Sequence, residues 1–371
     1  MKTGELGGKG LILQSRKMKR QKMKIAMMSP WNVACGVAMH AEPVGREWMK
    51  MGHELKLLAP IEKKTQPVTA KDEPYVTRCY TMDREFIKGI LKPLSLDARP
   101  FLESDYDLFI VQNLELMPMA ELLKIWTQIK AKAKTILVIH EGYLPPYPEF
   151  YQFDFDAIVC FDERYQRKLE RKFPSDRIHI IPYPCYPLKL GDKRQAREKL
   201  GLPQDKKIVF SYGIVIHQHF PTLLPLEELS REYPLVYLVL AAEGRSEILD
   251  KAQDRCSFIE AREGGRTVEE LYIYLHAADA LLLYKQSPDI VVPSTVYLCL
   301  GSGCPIVISE GRYTESLGEE VFKYRDFDEL KEVLAQVFEG KKPNQEAVEK
   351  FIAEKSAQKV AQKFIELFKS L

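Results

Sequence analysis

Short apolar runs alternate with amphipathic stretches along most of the chain. The first run is "KIAMMSP" at 24–30, residues 37–51 have apolar positions at helical spacing, and "HELKLLA" at 53–59 is the next run. The alternation continues with "YDLFIVQ", a helical stretch at 117–130, "TILVIH", "DAIVCF", a basic helix at 163–172 and "RIHIIPYP". Short buried strands that alternate with helices form parallel sheets covered on both faces, so this half predicts an α/β domain.

The alternation restarts after a proline-rich stretch, "YPCYPLKLGD" at 183–192, which predicts a linker. The later strands are expected in "KIVFSYG", "LVYLVLA", "CSFIEA", "ADALLLYK" and "VFKY", with helices at 222–231 and 268–278. The predicted fold class is therefore α/β, with two doubly wound, Rossmann-like domains at 23–186 and 187–343. Residues 344–371 have apolar positions three and four apart and predict one amphipathic helix, which could cover either domain.

Composition and charge fit a two-domain globular protein. The chain has 371 residues, of which 46% are hydrophobic and 29% charged. Its net charge of +2 includes six cations at 16–24, so the rest carries −4, and we expect no nucleic-acid partner. Residues 1–22 are predicted to be a disordered basic arm, either a solvated tail or a grip on anionic lipid headgroups.

Cysteine use and hydropathy indicate a cytoplasmic protein. The seven cysteines are odd in number and include no CxxC, which fits a reducing compartment. No apolar run approaches the roughly 18 residues of a membrane-spanning helix. The chain has only three asparagines, Asn32, Asn113 and Asn344, against abundant lysine and glutamate, which favours a thermophilic source.

Residues that follow strands are the first candidates for chemistry, because ligands of open parallel sheets bind beyond the carboxyl ends of the strands. Gly36 follows the first strand, and there a glycine lets the backbone approach a ligand. No GxGxxG occurs, which disfavours a dinucleotide fold. His140 and Glu141 follow "TILVI"; this histidine either donates to a substrate or has a structural role.

The stretch "VVPSTVYLCLGSGCPIVIS" at 291–309 predicts a short helix followed by a strand. Pro293 suits the entry of the helix, and Ser294 or Thr295 suits its N-cap. The free amides and the positive dipole end of its first turn, together with the two hydroxyls, would suit a diphosphate. Ordinary capping is the alternative explanation.

The residues that flank this helix complete the predicted site. In the preceding loop, Lys285 supplies a cation beside an anion, and Asp289 supplies a carboxylate that could hold sugar hydroxyls. Gly301 and Gly303 are expected to end the helix by adopting positive φ. A pair of histidines at 217 and 219 has no obvious third ligand nearby, so no metal is predicted.

In their order, these pieces resemble the GT-B glycosyltransferases, particularly glycosyltransferase family 4. The likeness covers nearly everything from Lys24 to Leu371. Its motifs are "CGVAMHAEPVGREWMKMGHELKLLAP", "VIHEGY", "DAIVCFDERYQRKLERKFPSDRIHIIPYP", "LHAADALLLYK" and "LGSGCPIVIS".

The resemblance implies transfer of a sugar from a nucleotide-diphosphate donor to an unknown carbohydrate or lipid-linked acceptor. It implies retention of configuration, no required metal and no cofactor beyond the donor. Gly36 would lie near the donor phosphates, His140 would contact the transferred sugar and steady the transition state, and Ser294 with Thr295 would hold the diphosphate. The terminal helix would cross back to the N-terminal domain, and the basic arm could touch the inner face of the membrane.

Two departures from the family pattern bear on activity. The family usually has a phosphate-binding arginine after the strand glycine and a lysine five residues later, but Gly213 precedes Ile214, and His219 occupies the lysine position. We expect Gly213 and His219 to lie at the donor phosphates. The two glutamates common in the family fall at Ile290 and Leu298. The cations that could replace the missing arginine and lysine are Lys285, Arg262 and Arg266. The alternatives are a nucleotide-sugar-binding protein that has lost catalysis and a nucleotide-sugar 2-epimerase.

Overall fold

The chain folds into two parallel β-sheets, each flanked by helices. The computed structural model describes residues 22–62, 68–82, 86–87, 90–91, 94–213, 216–241, 247–264, 267–286 and 290–371. Most of the predicted basic arm, residues 1–21, therefore lies outside the described residues. Among the described helices, none combines the length and the apolar character needed to cross a membrane.

The first sheet has seven strands in the order β3-β2-β1-β6-β7-β8-β9, all parallel. Strand β1 lies inside this sheet between β2 and β6, and four of its five residues are buried, which explains the apolar run after Lys24. The strands are β1 Lys24–Met28, β2 Glu54–Pro60, β3 Val76–Tyr80, β6 Leu108–Gln112, β7 Lys134–Val138, β8 Ala157–Cys160 and β9 Ile178–Ile180, and a separate hairpin joins β4 Phe86–Ile87 to β5 Ile90–Leu91.

The second sheet has six parallel strands in the order β12-β11-β10-β13-β14-β15. The chain passes from one sheet to the other between residues 180 and 207, and the predicted boundary after residue 186 falls inside this interval. The strands are β10 Lys207–Gly213, β11 Leu235–Ala241, β12 Ile259–Glu263, β13 Ala280–Leu283, β14 Ile306–Ser309 and β15 Phe322–Tyr324.

Helices cover both sheets. The α-helices are α1 Gly36–Lys50, α2 Arg99–Leu102, α3 Met119–Lys132, α4 Glu163–Leu169, α5 Lys193–Leu200, α6 Leu223–Leu229, α7 Glu247–Arg255, α8 Val268–Ala277, α9 Ser294–Cys299, α10 Phe327–Phe338, α11 Gln345–Glu354 and α12 Ala357–Ser370. Short 3₁₀ turns occur at Leu114–Leu116, Pro148–Gln152, Ser175–Arg177, Ile216–Thr222, Leu300–Ser302 and Arg312–Thr314. The predicted architecture of two doubly wound domains is confirmed.

The prediction of a single C-terminal helix is wrong, because the chain breaks between α11 and α12. The carbonyl of Lys355 accepts the N–H of Cys185 in the linker at 2.7 Å, and Ser356 then caps α12. The linker thus takes a carbonyl that a continuous helix would use internally.

Helix α12 returns to the N-terminal domain. The indole N–H of Trp48 on α1 donates to the carbonyl of Ala361 at 3.2 Å, and the Trp48 ring packs against Phe364 and Phe368. Two neighbouring segments, the linker and the returning helix α12, therefore connect the two domains.

Candidate functional site

The cleft between the domains contains a cavity of about 370 Å³, here called the small cavity. It collects residues from the ends of β1, β6 and β7 in the first domain and from the loop before α9 in the second. The lining residues used below are Gly36, Asn113, His140, Glu141, Val292 and Ser294.

A larger cavity of about 840 Å³ lies between α1, α8, the linker and the start of α12; it is here called the large cavity. Its walls are mostly apolar and aromatic. Three cations and three acids also line it. The lining residues used below are Arg46, Lys50, Lys189, Tyr212, Thr267 and Leu298, with Glu42, Glu47 and Glu269 as the acids.

Gly36 and Ser294 approach each other across the cleft. A Cβ added to Gly36 would lie 3.3 Å from the Ser294 Oγ, so a larger side chain would close this gap. Residues 35–37 line the small cavity, and residues 32–34 of the same loop line the large one. The Gly36–Ser294 approach therefore lies where the two cavities adjoin.

His140 forms a buried part of the small-cavity wall. Its side chain is only 9% exposed, and its Nε2 lies 2.9 Å from Oε1 of Gln112. The ring of His40 on α1 packs edge-on against it at 5.2 Å between centroids. Burial, and then the neighbouring His40, hold the pKa of His140 well below its ordinary value. The imidazole is therefore neutral at physiological pH.

Glu141 is held beside His140 by a strained asparagine. Asn113 directly follows β6 with φ of 58°, in the left-handed region, and its Nδ2 donates to Glu141 Oε1 at 3.2 Å. Asparagine tolerates this conformation better than most residues, and strained residues cluster at functional sites. Sequence reasoning missed Gln112 and Asn113, although a polar pair that ends an apolar strand was a usable signal.

The N-terminal domain contacts the loop before α9 through a shared hydroxyl group and a close backbone approach. The Tyr165 hydroxyl donates to the carbonyl of His140 at 3.2 Å and accepts the N–H of Val292 at 2.9 Å. A Cβ on Gly142 would lie 2.9 Å from the backbone nitrogens of both Ile290 and Val291. The domains therefore meet backbone to backbone beside the small cavity.

The prediction that Ser294 or Thr295 caps α9 is wrong. Pro293 occupies the cap position, and its carbonyl accepts the N–H of Val296 at 2.8 Å, so Ser294 is the first helical residue. Within the described part of the chain neither the Ser294 nor the Thr295 hydroxyl has a hydrogen-bond partner. Ser294 lines the small cavity, whereas Thr295, which is half-buried, lines neither cavity.

The two glycines after α9 have different roles. Gly303 adopts φ of 77°, as predicted. Gly301 has no positive φ; instead, a Cβ there would overlap the carbonyl of Pro187 in the linker. Gly301 is thus required for close contact between the linker and the helix end.

Comparison with solved structures identifies the architecture. A glycosyltransferase from Rickettsia africae ESF-5 shares 14% identity and a TM-score of 0.67 over 94% of this chain and 98% of its own. Sucrose-phosphate synthase from Thermosynechococcus elongatus shares 14% identity and a TM-score of 0.69 over 94% and 99%. The pneumococcal O-GlcNAc transferase GtfA, solved with UDP and GlcNAc, shares 11% identity and a TM-score of 0.62 over 94% and 99%.

The chain has the GT-B fold. No family model matches it, so membership of glycosyltransferase family 4 stays a prediction. In GT-B terms, the two cavities divide the cleft between the facing domains.

Other predicted site residues lie outside both cavities. His219 is 1% exposed, its Nδ1 accepts the N–H of Tyr284 at 3.1 Å, and burial lowers its pKa to about 4. It thus makes a structural bond and lines neither cavity, and its expected phosphate contact stays a prediction. Gly213 ends β10, and a Cβ there would meet nothing within 4 Å.

The expected replacement cations are also not brought to the small cavity. The Lys285 ammonium lies 4.4 Å from the Tyr313 ring centroid, and Arg262 Nε donates to Glu260 at 2.7 Å. Asp289 and Arg266 lie outside the described residues. No lysine or arginine lines the small cavity in the described part of the chain.

We expect Gly142→Ala to open the cleft. Its Cβ would press on two backbone nitrogens, which cannot rotate away as a side chain does, so the domains must separate or the variant must lose about 1–3 kcal/mol of stability. Small-angle scattering and thermal unfolding measure the two outcomes. Gly311→Ala is the matched control, since its Cβ meets nothing within 4 Å. A Gly142→Ala protein with unchanged scattering and unfolding would contradict the backbone contact.

Proposed function

We propose that the protein is a retaining glycosyltransferase that uses a nucleotide-diphosphate sugar. One observation carries the proposal: Gly36, His140 and Ser294, from three distant segments, line one cavity in the cleft of a GT-B fold. These are the residues for which the resemblance implies contact with the donor phosphates and the transferred sugar. UDP and GlcNAc in the related pneumococcal structure support this class of ligand.

The donor would span both cavities. The glycosyl group would occupy the small cavity beside His140 and Glu141, and the diphosphate would cross near Gly36 and Ser294. The nucleoside would enter the large cavity against Tyr212 and Thr267. The described cations that line the cleft, Arg46, Lys50 and Lys189, all belong to the large cavity. Arg46 and Lys50 are paired there with Glu42 and Glu47, so Lys189 is the cation that supports placing the anionic nucleotide on that side.

Transfer would break the bond between the anomeric carbon and the diphosphate oxygen and form one to the acceptor oxygen. The departing diphosphate would accept the proton of the acceptor hydroxyl, so no protein general base is needed, and the proposal includes no metal. The contacts of Tyr165 and Gly142 keep the domains together, which excludes water and aligns the reacting groups. We further propose that Asp289 holds sugar hydroxyls and that the acceptor is a carbohydrate or lipid-linked group. We also propose a cytoplasmic location, with peripheral membrane contact through the basic arm.

A second candidate is a nucleotide-sugar-binding protein without turnover. It is favoured by the small-cavity wall, in which the described residues include no lysine or arginine to stabilise a leaving diphosphate. Removing one donor to such a developing charge typically costs about two to four kcal/mol. Binding without product is the property that separates this candidate from the enzyme.

A thermal-shift panel of UDP, GDP and ADP with their common sugars tests the proposal. Because a ligand that binds only the native state stabilises it, we expect one nucleotide to raise the melting temperature by several degrees. Incubation of that donor with and without acceptors should then yield transferred or hydrolysed sugar. A shift without any product favours the binding protein, an epimerised donor favours the 2-epimerase, and no shift with any donor contradicts both binding roles.

His140→Ala should lower turnover by about ten- to a thousandfold, because it removes a polar side chain from the cavity proposed for the sugar. Initial rates on the verified folded variant give the measurement. His179→Ala, a histidine on the edge strand β9 that lines neither cavity, is the matched control and should retain wild-type turnover. Equal rates in wild type and His140→Ala would remove His140 from the mechanism.

A further inference from the structure

Gln112 lies at the end of β6, fully buried, between a sulfur atom and the His140 ring. Its Nε2 donates to Sδ of Met27 at 3.5 Å, and its Oε1 lies 2.9 Å from Nε2 of His140. Met27 belongs to β1, and His140 lies two residues beyond the end of β7.

The Met27 sulfur fixes which way the Gln112 amide points. A thioether accepts hydrogen bonds and cannot donate them, so the amide nitrogen faces the sulfur. The amide oxygen then faces His140. Because that oxygen can only accept, Nε2 of His140 must carry the ring proton.

The other ring nitrogen of His140 faces a different environment. Nδ1 has no hydrogen-bond partner among the described residues. It is not fully enclosed, whereas both ring nitrogens of the neighbouring His40 are fully enclosed and also lack a partner. His140 lines the small cavity. Nδ1 is therefore the ring atom that a ligand in this cavity can reach.

We propose that Gln112 is a positioning residue that holds His140 in the Nε2–H tautomer, so that Nδ1 offers a lone pair to the small cavity. The group that sits against it must then be a hydrogen-bond donor. Glu141 adds carboxylate oxygens to the same wall. Resting on the proposed function, this assigns the small cavity to the hydroxyl-bearing glycosyl group and excludes the acceptor-only oxygens of a diphosphate from contact with Nδ1.

The tautomer of His140 decides what its ring offers to the cavity because the ring is uncharged. The titratable groups around it are His40 from α1, Tyr183 from the linker, Glu141 next in sequence and Tyr165, whose hydroxyl binds the His140 carbonyl. Burial lowers the pKa of His40 to about 3, so His40 is neutral as well. The position of one proton therefore decides whether the cavity meets a donor or an acceptor.

Nitrogen NMR of the histidine rings in the unliganded wild-type protein tests the proposal directly, with His140→Asn for assignment. We expect a pyrrole-type resonance at Nε2 and a pyridine-type resonance at Nδ1, unchanged from about pH 6 to 8. A proton on Nδ1, or a charged ring in this range, overturns the proposal. Since no donor is needed, a wild-type protein with this tautomer but no turnover would reject the proposed function and leave the Gln112 assignment intact.

Two substitutions separate positioning from mere packing. Gln112→Leu removes the acceptor, so we expect a mixed tautomer and about tenfold lower kcat/KM. Gln112→Glu keeps an acceptor for Nε2–H, but its charge raises the pKa of His140. The ring then becomes a cation without an acceptor as pH falls through that raised pKa, so activity should recover towards wild type only at higher pH.

Thr135→Val on the neighbouring strand β7 is the control. Its hydroxyl binds Asp156 and lies away from the ring, so its loss should lower stability and leave the His140 resonances in place. Wild-type tautomer and wild-type kcat/KM in Gln112→Leu would overturn the positioning role. If that variant does not fold, the pH dependence of Gln112→Glu decides, and a flat profile contradicts the proposal.

Discussion

The backbone contact between Gly142 and the loop at Ile290 and Val291 determines the shape of the whole cleft. A side chain at position 142 would collide with main-chain nitrogens, so only glycine lets the domains come this close. Tyr165 bonds both sides of the junction, which fixes His140 relative to Val292. With this junction formed, the facing strand ends enclose a small cavity beside His140 and a large one beside the linker.

The two cavities differ in the hydrogen bonds and charges that they offer. In the part of the chain that the structure describes, the small cavity has a neutral histidine and a carboxylate, whereas the large cavity has three cations, three acids and aromatic walls. In the small cavity, an anion would face only hydrogen-bond acceptors from His140 and Glu141, whereas a hydroxyl group could donate a hydrogen bond to them. In the proposed function, a nucleotide sugar would therefore place its glycosyl hydroxyls in the small cavity and its nucleoside in the large one.

The sequence predicts the sheets well because buried parallel strands are continuous apolar runs, as in β1 and β11. The sequence also singles out Gly36, His140 and Ser294, and the structure brings these three to the wall of one cavity, since residues that follow parallel strands gather at one edge of the sheet. Three other features depend on distant partners and could not be predicted. Gln112 depends on Met27, 85 positions away, the break before α12 depends on Cys185, and the register of α9 depends on the loop held by Tyr165.

The low number of asparagines favours a thermophilic source, but the positions of the three asparagines say more about the structure than their number does. Asn32 and Asn113 both adopt left-handed φ at strand ends beside the cavities, and Asn344 caps α11. Each asparagine thus serves a conformation or a cap that few residues satisfy. Only the structure shows that two of them border the site.

A crystal structure with a bound nucleotide-diphosphate sugar would show whether one donor spans both cavities, passing between Gly36 and Ser294. We expect the glycosyl group within hydrogen-bonding distance of His140 Nδ1, the diphosphate at Ser294 and the nucleoside in the large cavity. A donor bound with its phosphates against His140, or bound entirely outside the cleft, would contradict this expectation.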